Sequence, residues 1–212
     1  MFRRGAVALT LSTLLLTGCF TGERPYFNDE PFPAGAMTGN AEVDAVLTRF
    51  DAVTPGPATA AYSVLTKFGN VTNDAVVVIA DGSRSVTIGN VRYIETPNGV
   101  ATCSEDSSQP CTGTLDAFRV SDIGVTIDFY AAEAATRLRR DFRAAIAPPT
   151  GRAVVIAEQS ATCVDVPLPG GVAVYCALEN GLVARLDDGD VAVNLTLLGE
   201  FADPERLVVP AG

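Results

Sequence analysis

The 212-residue chain contains no histidine and no tryptophan, and Lys67 is its only lysine. Without an imidazole there is no Ser-His-Asp or Cys-His hydrolase, because both use that ring as their base. His-ligated zinc and the H-E-x-x-H peptidase site fall with it. A single lysine leaves little room for Schiff-base or Ser-Lys chemistry. There is no Gly-rich phosphate loop, and Gly170-Gly171 reads as a turn. Carboxylate-only chemistry survives this trimming, yet no constellation of acids presents itself as catalytic. The expectation is a protein that is not an enzyme and carries no cofactor or metal. Positive charge is scarce too: 15 Lys and Arg stand against 25 Asp and Glu, a net charge of −10. Such a surface repels phosphate backbones, so no nucleic acid partner is expected. With 48% apolar and only 19% charged residues, the composition is that of a packed globule rather than a disordered chain.

What is present begins at the N-terminus. Arg3-Arg4, an apolar stretch from Gly5 to Leu16, and Leu16-Thr17-Gly18-Cys19 make a tripartite export signal that ends in a lipobox. The apolar run is shorter than the roughly 20 residues of a membrane span, so a cleaved signal is favoured over an anchor helix. Residues 1–18 are then the signal peptide, and Cys19 is the site of diacylglycerol attachment. The protein is expected to be lipid-anchored on the extracytoplasmic face of the cell membrane. Losing Arg3 and Arg4 leaves 13 basic against 25 acidic residues, a net charge of −12. Residues 19–39, with Pro25, Pro31 and Pro33, read as a flexible tether, and 40–212 as one domain. Assigning Cys19 to lipid makes the odd total of five cysteines even. Cys103, Cys111, Cys163 and Cys176 remain, and four cysteines in an exported chain allow three disulfide connectivities.

Periodicity supplies the elements. Asn40 is placed to cap a helix from Ala41 to about Ala52, with Val43, Val46, Leu47 and Phe50 on one face. From Thr59 the period changes to two. A first strand alternates Ala60-Tyr62-Val64 with Ala61-Ser63-Leu65, and further strands are predicted at about Val71–Asp81, Arg84–Ile88 and Val91–Glu95, with turns at Gly69-Asn70, Gly82-Ser83 and Gly89-Asn90. Pro97 to Pro110 reads as a polar loop spanned by Cys103 and Cys111, whose local pairing is the simplest assignment. Phe129 to Ala147 reads as the longest helix, with Phe129, Ala135, Leu138, Phe142 and Ile146 along one stripe, stopped by Pro148-Pro149. Beyond it, Cys163 and Cys176 are equidistant from the centre of the Pro167–Gly171 region. Counting inward pairs 164 with 175, 165 with 174, and 166 with 173, which sets the cysteines opposite each other as a cross-strand disulfide requires. Asn180-Gly181 is the strongest hairpin signal in the chain. Two amphipathic helices and seven or more antiparallel strands cannot bury their apolar faces separately. The expected fold is therefore α+β, with helices on one face of a curved antiparallel sheet.

Three further constellations have a plain reading and a functional one. Asp187-Asp188-Gly189-Asp190 resembles part of a calcium loop but lacks its spacing and distal Glu, which favours a hairpin turn. Arg137, Arg139, Arg140 and Arg143 could hold an anionic headgroup, although a solvated helix face is the simpler expectation. Tyr62, Phe68, Tyr93, Phe118, Phe129, Tyr130 and Phe142 could line an apolar cavity, with ordinary core as the default for each.

The lipobox, the capped helix, the Thr59–Glu95 meander, the helical insertion ending at Pro148 and the Gly151–Leu198 meander share one order of elements. That order resembles the bacterial lipoprotein-carrier family and its mycobacterial lipoprotein relatives, the LolA and LppX/LprG-type lipid-binding proteins. Ala161-Thr162-Cys163-Val164-Asp165-Val166, followed by Val174-Tyr175-Cys176 and Asn180-Gly181-Leu182, is similar to final hairpins of exported lipoproteins of this type. The resemblance implies an open half β-barrel with helices on its concave face. It also implies an apolar cavity between them for a lipid or lipoglycan, with a possible carrier role. Tyr62, Tyr93, Phe129, Leu138 and Phe142 are the candidates to line that cavity. The alternative is a cell-envelope structural or interaction lipoprotein with a packed core and no ligand.

Overall fold

A computed structural model describes residue 33 and residues 35–52, 56–105, 111–114 and 132–209. The chain divides between Pro31 and Phe32, and every described residue belongs to the second unit, Phe32–Gly212. Cys19 and Phe129 lie outside the described residues, as do the signal peptide, most of the tether and the start of the predicted long helix.

Ten strands form one antiparallel sheet. They are β1 (Ala58–Thr66), β2 (Val71–Ala80), β3 (Ser83–Ile88), β4 (Val91–Thr96), β5 (Gly99–Ser104), β6 (Thr150–Ile156), β7 (Gln159–Leu168), β8 (Gly171–Leu178), β9 (Val183–Asp187) and β10 (Val191–Gly199). Their order is β5-β4-β3-β2-β1-β10-β9-β8-β7-β6. Each meander is built from neighbouring hairpins, and the two halves join where β1 pairs with β10. The ends of the order, β5 and β6, do not meet, so the curved sheet is an open half-barrel. Helices α1 (Ala41–Asp51) and α2 (Ala132–Arg143) complete an α+β fold.

Alternation along the strands defines two faces. Ala60, Tyr62 and Val64 of β1 share a face with Ala75 and Val77 of β2, Val86 and Ile88 of β3, and Tyr93 of β4. In the other half the same face carries Val164, Val166, Ala173 and Tyr175. These residues are buried and belong to one continuous apolar core with Val43, Val46, Leu47 and Phe50 of α1 and Leu138 of α2. Helix α1 starts as its sequence dictates: the Asn40 carboxamide oxygen accepts from the Glu42 and Val43 amides at 3.1 Å each. It lies close over β6, since a Cβ on Gly151 would stand 1.7 Å from Glu42 Oε2. A side chain at this position would require the Glu42 carboxylate to move aside.

The opposite face is partly covered by the C-terminal segment. Thr59 Oγ1 donates to the Phe201 carbonyl at 2.8 Å, and Arg206 Nη1 donates to Thr87 Oγ1 at 3.1 Å. A short 3-10 helix, Pro204–Leu207, packs against β2, β3 and β4. Beneath this strap Val78 and Ser85 are fully buried.

Several expectations need correction. The loop predicted from Pro97 contains β5, which pairs with β4 from Thr96↔Gly99 to Val91↔Ser104. Pro97-Asn98 is thus a two-residue hairpin loop, and the strand after it is short and flanked by Gly and Ser. Helix α2 ends at Arg143 rather than Ala147, because the Ile146 amide turns out to donate to the Pro167 carbonyl of β7 at 3.0 Å. Ile146 consequently leaves the apolar stripe and is exposed. The end of the predicted tether is bonded to the domain: the Thr38 and Gly39 amides donate to the Asp44 carboxylate at 2.7 and 3.0 Å. That carboxylate is in turn held below its ordinary pKa: its modest burial acts upward, but the hydrogen bonds from Thr38 and Gly39 outweigh it.

Candidate functional site

The expected lining residues are found in the core. Tyr62, Tyr93 and Leu138 keep 1%, 0% and 0% of their surface accessible, and Phe142 packs half-buried against the same cluster. A side chain that lines space wide enough for an acyl chain retains accessible surface toward that space. These three retain essentially none. They join the helices to the sheet.

The disulfides pair locally, Cys103 with Cys111 and Cys163 with Cys176. The second bridge has the counted register, with Cys163↔Cys176, Val164↔Tyr175, Asp165↔Val174 and Val166↔Ala173. Pairing continues two steps beyond those pairs, through Pro167↔Val172 to Leu168↔Gly171, leaving Pro169-Gly170 as the loop. The first bridge fastens residues 111–114 to β5. Thr102 and Thr112 exchange backbone hydrogen bonds of 3.0 and 2.8 Å, and Thr102 Oγ1 donates to the Thr114 carbonyl at 2.8 Å.

The arginine cluster of α2 is a solvated face only in part, since Arg140 and Arg143 are exposed whereas Arg137 and Arg139 are not. Arg139 is 4% exposed, pairs with Asp51 at the end of α1, and donates from Nε to the Ala36 carbonyl at 2.9 Å. Arg137 Nη1 lies 2.7 Å from Asp188 Oδ2, and Arg140 Nε lies 2.9 Å from Asp141 Oδ1. The carboxylates come from α1, from α2 and from the turn between β9 and β10, so spacing within one helix could not show the network. The Asp187–Asp190 segment is the hairpin turn expected of it, with an added role. Asp188 Oδ1 accepts from the Asp190 and Val191 amides at 2.8 and 3.0 Å, while Oδ2 faces Arg137. Beside it, Lys67 Nζ pairs with Asp187 at 2.8 Å.

Burial of the Asp188 carboxyl works to raise its pKa, but the two amides and the Arg137 guanidinium outweigh that and hold it below the ordinary carboxylate range. Burial likewise raises Asp187, and the Lys67 and Arg185 partners outweigh it, so this carboxyl also sits low. Tyr175 donates its hydroxyl to Asp141 Oδ2 at 2.5 Å. Burial, then that bond to the carboxylate, pushes the phenol far above its ordinary pKa, so it stays protonated. Each of these carboxylates is committed to a cation, an amide or a hydroxyl. The arrangement clasps α2 to α1, β8 and the β9–β10 turn, and Arg137, Arg139 and Arg140 are each already paired with a carboxylate. Among the described residues no group of three or more His, Cys, Asp or Glu is placed to hold a metal ion. No described helix is long and apolar enough to cross a membrane.

No protein-family model matches the chain, and no curated protein matches it. Solved structures with a similar fold include the Pseudomonas aeruginosa MucA/MucB complex, at 12% identity and a TM-score of 0.47 over 81% of this chain and 62% of that one. A structure of MucB in complex with MucA(peri) matches at 10% identity and 0.46, over 80% and 60% of the two chains. A crystal structure of MucB matches at 13% and 0.44, over 82% and 64%. The present chain thus spans less than two thirds of the length of these proteins. No family or sequence match supports the expected LolA or LppX/LprG type.

Proposed function

We propose that the chain is a cell-envelope interaction lipoprotein. Diacylglycerol on Cys19 holds it to the extracytoplasmic face of the membrane, and its surface docks another envelope protein. The observation that carries this reading is the burial of Tyr62, Tyr93 and Leu138 within one core shared by α1, α2 and the sheet. Those side chains would have to be withdrawn from their packing before a lipid could take their place. Two local disulfides suit an oxidising compartment. The function is one of binding without chemistry.

The test uses the full chain produced in bacterial cells, with a photo-reactive side chain placed at exposed Phe201 or Val172, or at half-buried Phe142. The expected outcome is a discrete protein adduct from a surface position and none to lipid from Phe142. Lipid adducts from Phe142, with no protein captured from the surface, would overturn the reading in favour of a lipid carrier.

A further inference from the structure

The two edges of the sheet are treated differently. An edge strand presents a row of unpaired backbone groups, and proteins usually shield it with proline, lysine, a bulge or a covering segment. At β5 the shield is present: the 111–114 segment bridges to Thr102 in both directions and is fixed covalently through Cys103–Cys111. At β6 no such device is found among the described residues. The strand runs seven residues, Thr-Gly-Arg-Ala-Val-Val-Ile, with no proline, lysine or acid. Its register with β7 is unbroken from Thr150↔Asp165 to Ile156↔Gln159, so no bulge turns it away. Its one charge, Arg152, is occupied by Asp165 at 3.0 Å. Thr150, Arg152, Ala153 and Val155 are exposed, Val155 at 73%.

We infer that β6 is a docking edge that takes an extended segment of a partner protein as an eleventh strand, apolar at alternate positions and basic beside Gly151. The inference rests on the interaction reading above and names its surface. Backbone pairing would supply affinity, and side chains at alternate positions would supply specificity. On the face that carries α1, the added strand meets the exposed Val155 and Ala153 and then Gly151, over which the Glu42 carboxylate lies. Two apolar side chains followed by a lysine or arginine complement that row. A second copy of the chain is the wrong occupant. The edge is about 23 Å long at about 3.3 Å per residue and about 10 Å deep, roughly 230 Å², against about 800 Å² per partner in a stable dimer.

The full chain in detergent micelles is titrated with the labelled peptide Thr-Val-Thr-Val-Thr-Lys-Thr, and with the same peptide carrying Glu for Lys. Hydrogen exchange locates the site. The expected result is slowed exchange confined to 150–156, with the Lys peptide at least tenfold tighter than the Glu peptide. Ala153→Lys, at an exposed position, weakens the Lys peptide at least tenfold with an unchanged melting temperature, and Glu42→Lys reverses the preference between the peptides. Absence of saturable binding, protection elsewhere on the sheet, or a dimer by sedimentation whose contact protects 150–156 would each overturn the inference. If the peptide fails while the photo-reactive positions still capture an envelope protein, this edge is wrong and the interaction reading stands. If the peptide binds while only lipid is captured in cells, the edge stands and that reading falls.

Discussion

At the scale of single residues, Asp188 does the most with the least. One oxygen closes the β9–β10 turn through two amides, and the other neutralises Arg137 on a helix 51 residues away in sequence. Its side chain is 1% exposed, so removing the negative charge takes from the Arg137 guanidinium its 2.7 Å ion pair in a poorly solvated place, with Asp190 Oδ2 left at 3.8 Å. Losing one partner of a buried pair costs about 3–5 kcal/mol. The carboxylates of Asp188, Asp187 and Asp44 all titrate below their ordinary value of 3.8. For a group whose folded pKa is lowered, the stabilisation is complete above the unfolded pKa and is lost as pH falls through the folded one. Urea unfolding followed against pH should therefore show a plateau above about pH 5 and a decline below about pH 4. Asp188→Asn keeps the amide bonds and removes the charge. It should cost about 3 kcal/mol at pH 7, with the gap to the parent protein narrowing below pH 4. A gap that stays constant down to pH 2.5 would show that the charge is not what matters there.

At the scale of elements, the hairpins differ in how well their turns suit them. Asn180-Gly181 follows the preference for its bend, whereas the β6–β7 turn places Ala157 and Glu158 at φ of 48° and 64°. Neither residue favours the left-handed region, which costs roughly 1–2 kcal/mol for a residue with a Cβ. Replacing the pair by Asn-Gly supplies the residues that a two-residue turn of this hand prefers. We expect a gain of about 1 kcal/mol, read as a higher urea midpoint at unchanged slope. A lower midpoint would mean that the half-buried Ala157 methyl contributes more packing than the turn loses in strain. The elements also show what was legible in the sequence. The Cys163–Cys176 hairpin could be counted because its cysteines and turn residues bracket it locally. Helix α1 could be read from Asn40 and a four-residue stripe. Strand β5 could not, because half of what holds it comes from Thr112 and Thr114 across a polar stretch. The clasp on α2 was invisible for the same reason, since its acids lie on other elements. Ile146 fitted the helical stripe in sequence, yet its amide is taken by β7.

At the scale of the whole molecule, the sheet's apolar face and both helices share one core, the opposite face carries a C-terminal strap, and one of two edges is closed. The sequence's lack of imidazole and near lack of lysine agree with a domain whose buried polar groups hold structure together. If this core is filled by its own side chains, no ligand travels with the protein. Native mass spectrometry of the full chain purified from bacterial membranes tests it most directly. The expected result is the mass of the anchored chain with both disulfides and nothing further. A second lipid, present once per chain and released only on unfolding, would contradict it.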